Sequence, residues 1–412
     1  MNEQKKPLLF ISQVFDPEPQ LKGRALIDKL SDQFDIKVCA ATPNYPGGKI
    51  YKGYRNHLRS EVTSNFAFEE VRRFIFPTRS KNFVLRFCSY LSFALGAVHE
   101  IWISRHRFKI VYVCMPPIPS VFLALLMCRF CGMKIIYDVQ DVWPEVFFGS
   151  DLISENTFFG RGLDAACSWI YSKCDLLLVQ SQNPKVQLVG KGVAEERIRV
   201  IYNWAFNDPD IISRDENRVA LDDIYYHEGN YDVRIIYSGN VGLAQDLFSW
   251  VSMFADKDIN SHIRLDIIGA GVALGSIKNF LKRNKIQNIR VFEPVSPSEI
   301  SEIYKNYDFG LVTLKNSEWM SGIIPAKFQG YLAEGLPVLS DVCGELGCVL
   351  ETHSIGVSAY PRLEDKHDVT NRMQEFLDSL ANKESFKKIY RKNFSFQAGS
   401  EKFFSVLREM NG

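Results

Sequence analysis

Lys327 falls where the sequence signals the start of a helix. Residues 321–340 read SGIIPAKFQGYLAEGLPVLS. Pro325 suits a helix's first turn, where the N–H it lacks would have no partner. Gly335 suits the left-handed stop that ends a helix. The apolar run Pro337–Ser340 suits a strand covered on both faces. The first-turn amides of Ala326, Lys327 and Phe328 then point out of the loop with the positive helix end, and Lys327 adds a full charge. Such an arrangement suits a phosphate, and a diphosphate above all. The same segment is compatible with an ordinary loop–helix–strand unit carrying a solvated lysine, so the other loops matter.

Two of them offer glycines. YSGNVGLAQDL, residues 237–247, places Gly239, Asn240 and Gly242 in a tight turn ahead of a helix, with Gln245 following. IIGAGVALG, residues 267–275, repeats the device with Gly269 and Gly271. Without a Cβ the backbone can approach a ligand closely. Neither loop satisfies the dinucleotide fingerprint GxGxxG, which argues against a dehydrogenase. Three loops with small residues and helix amides favour a nucleotide-diphosphate site. The N-terminal half carries different chemistry. FDPEPQLKGRA puts Gly23 and Arg24 at a helix start, and ATPNYPGGKIYKGYR contains Asn44 and Tyr45. YDVQDVWPEVFF gathers Asp138, Gln140, Asp141, Trp143 and Glu145. Carboxylates beside an indole suit a sugar, whose ring stacks and whose hydroxyls donate to the acids. The same acids could cap a helix.

The elements that would position these loops follow one rhythm. Short apolar strands open at Leu8, Ile36, Glu69, Ile110, Lys134, Leu176 and Ile198, with helices at Pro19–Gln33, Arg86–Arg105, Ser120–Cys131 and Phe158–Ser172. The polar, acidic stretch 205–232 interrupts the rhythm and reads as a linker with an excursion. Strands then resume at Val233, Arg264, Ile289, Phe309, Pro337 and Gly356, and helices end the chain. Alternation of this kind predicts α/β architecture: two Rossmann-like, doubly wound domains facing a central cleft. The expected divisions are 1–204, the linker 205–232, 233–390, and a last helix at 391–412. Ligands in such sheets bind beyond the carboxyl ends of the strands.

Composition narrows the class. The chain has 412 residues, enough for two cores, with 46% hydrophobic and 24% charged residues and a net charge of +1. That balance argues against a nucleic-acid binder. Nine cysteines, an odd number in mostly apolar surroundings, fit free thiols in a reducing cytosol. Cys128 and Cys131 form one CxxC without a second pair at zinc spacing, and helical spacing explains them. The apolar run at the N-terminus is too short for a signal peptide, and no run reaches the roughly 20 residues of a membrane span.

Taken in order, FDPEP with Gly23 and Arg24, PNYPGGKIYKGY, DVQDVWPE, Tyr202–Trp204, SGNVGLAQ and IPAKFQGYLAEGLPVL resemble the retaining family 4 glycosyltransferases. The nearest likeness is to bacterial O-antigen, colanic acid and capsule enzymes that transfer fucose or N-acetylfucosamine. The resemblance implies the GT-B fold and transfer of a sugar from a nucleotide-diphosphate sugar, with retention. It implies donor contacts at Gly239, Asn240, Gly242, Gln245, Gly269, Gly271 and Pro325–Gln329, with Lys327 neutralising the phosphates. Asp141 would lie near the transferred sugar, and Gly23, Arg24, Asn44, Tyr45, Trp143 and Glu145 near the acceptor. No metal or other cofactor is implied. The DxD of Asp208 and Asp210 lies in the linker and reads as a solvated turn. One departure stands out: two glutamates common in relatives fall here at Gly322 and Gly330, with Gln329 or Glu334 as candidate substitutes.

Residues 71–134 hold ten basic residues against one acid, Glu100, in an apolar setting. Phe83, Phe87, Tyr90, Leu91, Ala94, Leu95 and Val98 form a stripe at helical spacing. It reads either as a core helix or as a peripheral, salt-sensitive contact with an anionic membrane. The resemblance supplies the context: a polyprenyl-diphosphate-linked saccharide acceptor at the inner face of the cytoplasmic membrane. Two other readings stay open, a sugar-nucleotide epimerase of similar fold and a nucleotide-sugar-binding partner without catalysis.

Overall fold

The computed structural model describes residues 5–45, 48–62, 68–76, 83–114, 117–145, 148, 154–212, 231–315, 322–380 and 382–411. Of the expected features, most of the linker excursion, part of the loop after Tyr45 and the residues just before Gly322 lie outside this set. The chain divides into two compact units, Met1–Ile201 with Ser400–Gly412, and Tyr202–Gly399.

The first unit is built on eight strands: β1 (Lys6–Ser12), β2 (Phe34–Ala41), β3 (Arg59–Val62), β4 (Glu69–Arg73), β5 (Ile110–Cys114), β6 (Lys134–Val139), β7 (Leu176–Val179) and β8 (Ile198–Val200). Their order is β3-β4-β2-β1-β5-β6-β7-β8. All pairings are parallel except β3 with β4. Nothing in the residues of β3 marks it as a strand: RSEV has no apolar alternation, as befits a short edge strand held by its neighbour. Helices Phe83–Ser104, Ile118–Cys131 and Phe158–Lys173 cover one sheet face, packing Phe93, Ala97, Val121, Leu125, Cys167 and Ile170 onto Leu9, Val111 and Ile135. The alternate strand residues meet other partners. Tyr112 packs against Phe403 at 5.8 Å and Phe34 against Phe404 at 6.3 Å between ring centroids. Coverage on both faces explains why the strands read as unbroken apolar runs.

The second unit has six strands, all parallel: β9 (Val233–Ser238), β10 (Ile263–Ile268), β11 (Ile289–Phe292), β12 (Phe309–Val312), β13 (Val338–Ser340) and β14 (Gly356–Ser358). Their order is β11-β10-β9-β12-β13-β14, so the winding reverses between β9 and β12. In the first unit it reverses between β1 and β5. At such switch points the outgoing loops diverge and leave a crevice beyond the strand ends.

The segment 202–212 belongs to the second unit. Trp204 is fully buried, with Phe396 at 5.2 Å. Gly399 leaves room for the indole, since a Cβ there would come within 2.7 Å of the ring. The expectation of a solvated turn holds for Asp210, which is exposed in a turn, and fails for Asp208. Asp208 is 1% exposed, and its carboxylate accepts from the Tyr390 hydroxyl and, at 2.8 Å, from the Phe396 amide. It anchors this segment to the start of the last helix.

Gly310 is the tightest point at the second switch. A Cβ there would lie 2.4 Å from the Tyr331 ring. Gly310→Ala is therefore expected to destabilise the second unit by about 1–3 kcal/mol through overpacking. Urea unfolding followed by tryptophan fluorescence would show it, and an unchanged midpoint would mean that the ring moves freely.

Candidate functional site

In the second unit, the helix Ala326–Glu334 starts directly at Pro325, and no side chain caps it. Its first turn differs in one respect from the sequence expectation. The Phe328 amide donates to Pro325 O at 2.9 Å, which leaves the Ala326 and Lys327 amides uncommitted among the described residues. The Phe328 side chain is fully buried against Phe394 and reaches no ligand surface. The Lys327 side chain as a whole is half-buried, but its ammonium end is enclosed. Nζ lies 3.5 Å from the centroid of the Tyr237 ring and has no hydrogen-bond partner among the described residues. Desolvation holds its pKa well below that of an ordinary lysine. An aromatic face offsets part of the lost hydration. An arriving anion would supply the rest, drawing a proton onto the amine and fixing it.

Beside the lysine runs the turn after β9. Gly239 has φ +114°, a conformation that L side chains rarely adopt. A Cβ there would stand 3.9 Å from Lys327 Cε, so the lysine stem passes directly by the turn. Gly239 and Asn240 are exposed. Gln245, expected to touch a donor, instead braces the turn: its Oε1 accepts from the Gly242 amide at 3.0 Å. Gly269 and Gly271 also have a different reason for their type. Cβ atoms there would fall 1.9 Å from Gly239 O and 2.2 Å from Val241 O. The two loops continue the β9–β10 pairing, with Val241 N donating to Ala270 O at 2.9 Å. These glycines let one loop seat on the other.

Gln329 and Glu334 do not replace the absent glutamates. Gln329 is 1% exposed, and with its amide oriented to satisfy both ends its nitrogen donates to Pro325 O and Ala326 O at 2.9 and 3.1 Å. It ties down the helix start. Glu334 lies at the opposite helix end, approached by Asn207 Nδ2 at 3.5 Å. Gly330 faces Asn207, whose Oδ1 would be 3.0 Å from a Cβ built on it. The space a longer side chain would need is taken by the chain's own Asn207.

Three residues that sequence reasoning passed over organise this site. Tyr237 supplies the ring under Lys327. The Tyr331 hydroxyl receives the Ser238 amide at 3.1 Å and reaches Ile236 O and Leu311 O at 3.3 Å, joining β9 to β12 at the switch. Asp341, just after β13, accepts from Trp250 Nε1 and Thr313 Oγ1, both at 2.9 Å, and from the Leu314 amide at 3.3 Å. It holds the start of the loop that leads to Pro325. Burial pushes its pKa up to about 6, against the pull of those hydrogen bonds. The rule that strand-end carboxylates deserve notice, applied to Asp138, would also have found Asp341.

In the first unit the candidate residues stand at the carboxyl ends of β1, β2 and β6. Gly23 precedes the helix Arg24–Leu30, and Arg24 pairs with Asp28 at 3.0 Å. Glu18 draws two loops together: it accepts from the amides of Asn44 at 2.7 Å, Tyr45 at 2.6 Å and Phe15 at 3.1 Å. Burial raises its pKa against the opposing effect of those amides. Asp138 is committed to structure, paired at 2.8 Å with Lys22, both residues buried. Glu145 is buried too and pairs with Lys191 at 2.5 Å, so it is no open acceptor contact. Trp143 is half-buried, its amide donating to the Tyr171 hydroxyl at 2.8 Å. Asp141 differs from these acids. Its side chain reaches solvent and has no ion pair or hydrogen bond among the described residues. Surrounding protein nevertheless desolvates it enough to raise its pKa. We treat it as an accessible acid, because a substrate meets open surface.

No protein-family profile matches the chain. A Pseudomonas aeruginosa protein named probable glycosyltransferase WbjE is 23% identical over 286 residues, covering 68% of this chain and 69% of that protein. Sucrose-phosphate synthase of Thermosynechococcus elongatus superposes with a TM-score of 0.70 at 11% identity, over 98% of this chain and 99% of its own. Anabaena Alr3699/HepE, solved in complex with UDP, gives 0.62 at 11% identity, over 98% and 100%. The fold is GT-B. The two largely parallel α/β sheets of this chain fit that fold. Among its described residues no group of three or more His, Cys, Asp or Glu side chains is placed to hold a metal ion.

Two outcomes follow from the buried charges. Lys327→Met removes an enclosed, unpaired ammonium and keeps its bulk. The unliganded protein should melt about 2–4 °C higher, while the stabilisation given by pyrophosphate should vanish. A retained pyrophosphate shift would remove the lysine from the anion site. For Asp341 the folded-state pKa of about 6 lies above the ordinary aspartate value of 3.8, so protonation favours the folded state. Its contribution is present below pH 4 and is lost as pH rises through 6, by up to about 3 kcal/mol. Asp341→Asn should flatten that part of the pH–stability profile, and an unchanged slope would assign it to other groups.

Proposed function

We propose that the chain is a retaining glycosyltransferase of the family 4 type. Its second unit would hold a nucleotide-diphosphate sugar, and its first unit a polyprenyl-diphosphate-linked saccharide of bacterial surface-polysaccharide assembly. The observation that carries this reading is the enclosed amine of Lys327, unpartnered among the described residues and set beside the Gly239 turn and the uncapped helix start at the switch point. The Pseudomonas aeruginosa relative, named a probable glycosyltransferase, supports sugar transfer, and the UDP bound to Alr3699/HepE supports a nucleotide donor.

The bond between the sugar's anomeric carbon and the β-phosphate oxygen breaks as the acceptor oxygen bonds to that carbon from the same face. Negative charge grows on the β-phosphate, where Lys327 and the Ala326 and Lys327 amides stabilise it. The departing phosphate takes the acceptor's hydroxyl proton, and nucleoside diphosphate is released. Asp141, an exposed acid at the end of β6, orients sugar hydroxyls. The positive charge needed by the leaving group comes from protein groups, and the mechanism assigns no step to a metal. The acceptor would be met at the inner face of the cytoplasmic membrane, with residues 71–134 towards anionic lipid.

The absent glutamates at Gly322 and Gly330 favour one alternative, a partner that binds donor without turning it over. Lys327→Ala separates the readings. In an enzyme it should lower nucleoside-diphosphate release by roughly 10²–10³-fold while the protein stays folded. Donors built on UDP, GDP and dTDP would each be supplied with a lipid-linked acceptor. Wild-type turnover in the variant would refute the role of the lysine, and no release from wild-type protein with any donor would favour the binding partner.

A further inference from the structure

Helix Phe83–Ser104 carries apolar residues on its outer face as well as on its buried one. Phe93, Ala97 and Ile101 pack inward. Val84, Phe87, Leu95 and Trp102 lie outward, Leu95 at 58% exposure. The next helix, Ile118–Cys131, turns Phe122, Leu126 and Phe130 outward at a spacing of four, with Phe130 75% exposed. The third, Phe158–Lys173, exposes Phe158 at 92% and Trp169. Ring contacts join the three outer faces. Trp102 and Phe130 are 5.9 Å apart between centroids, as are Phe122 and Trp169. The result is one continuous apolar layer, and such layers mark interaction surfaces.

Charge identifies what covers it. These helices carry only two acids, Glu100 and Asp164. Glu100 is buried against Lys37 and Arg73, and Asp164 pairs with Lys191. Arg86, Arg129, Arg161 and Lys173 are exposed around the layer, and Arg105 stacks 3.8 Å from the Trp102 ring centre. A second copy of the chain would bring like charges together across a two-fold contact. An anionic bilayer accepts both the aromatic rings and the cations. Among the described residues no helix is long and apolar enough to cross a membrane.

We propose that this three-helix face inserts into the interfacial region of an anionic bilayer, with Trp102, Phe122, Phe130 and Trp169 as anchors. The proposal deepens the membrane part of the function above and changes its physics. Arg72 and Arg73, counted in the basic segment, are buried and paired with Glu70 and Glu100. Apolar insertion therefore carries the binding, which should resist salt rather than yield to it.

Co-sedimentation with phosphatidylcholine–phosphatidylglycerol vesicles tests it, at low salt and at about 1 M, where charges are screened beyond ~3 Å. Wild-type protein should bind in both. The triple variant Trp102→Ser/Phe130→Ser/Trp169→Ser should partition at least about tenfold less while keeping the UDP-dependent thermal shift of the second unit. Release of wild-type protein at high salt would overturn insertion. So would a lipid-free dimer that the triple variant dissociates. If the variant does not fold, quenching of wild-type tryptophan emission by brominated lipid decides the matter, and absence of quenching overturns the proposal. A missing UDP shift with intact vesicle binding would fault the donor reading alone.

Discussion

The candidate site of the second unit keeps one lysine amine out of water with no counter-charge among the described residues. A lone cation in a low-dielectric setting is strongly disfavoured, so everything around Lys327 must hold it in place. Tyr237 supplies the ring beneath it. Gly239 lets the turn pass close to the stem. Gln329, buried and bonded back to Pro325 and Ala326, fixes the first helical turn. Tyr331 locks β9 to β12, and the backbone of β12 admits the ring only because residue 310 is glycine. Each is an ordinary packing solution. Together they hold this amine in a geometry that no described residue neutralises, an arrangement that proteins retain for function rather than for stability.

The first unit treats its buried charges in the opposite way. Lys22 and Asp138 neutralise one another, Glu145 is matched by Lys191, and Glu100 by Lys37 and Arg73. Glu18 spends its acceptor capacity on three backbone amides and so links the loops after β1 and β2. Removing one partner from such a pair leaves an uncompensated charge, so these groups are better understood as scaffolding than as contacts for substrate. Of the acids near the end of β6, Asp141 is exposed and has no partner among the described residues. The contrast between satisfied and unsatisfied charge separates framework from candidate chemistry more sharply than residue type does.

Glycine shows the same division. Gly239 is needed for its positive φ beside the lysine, whereas Gly269 and Gly271 are needed because another loop lies against them. All three look alike in a sequence. Gly330 is different again: its missing side chain is the space that Asn207 fills. The segment containing Asn207 and Asp208 looked like polar linker because a buried Asn or Asp with partners has the same composition as a solvated one.

The amino-acid sequence by itself determined the two parallel α/β sheets, nearly all of their strands, the helix start at Pro325 and the singular position of Lys327. Those features rest on local periodicity, on proline and glycine geometry, and on the apolar runs that two-sided coverage demands. It did not determine β3, which pairs only because β4 is there. Nor did it determine which acids are paired, which glycines serve packing, or that the basic segment hides two of its arginines while three neighbouring helices merge their outer apolar faces. Partners for a charge and neighbours for a face are set by contacts distant in sequence. Burial and compensation of charge therefore became visible only once the chain was folded.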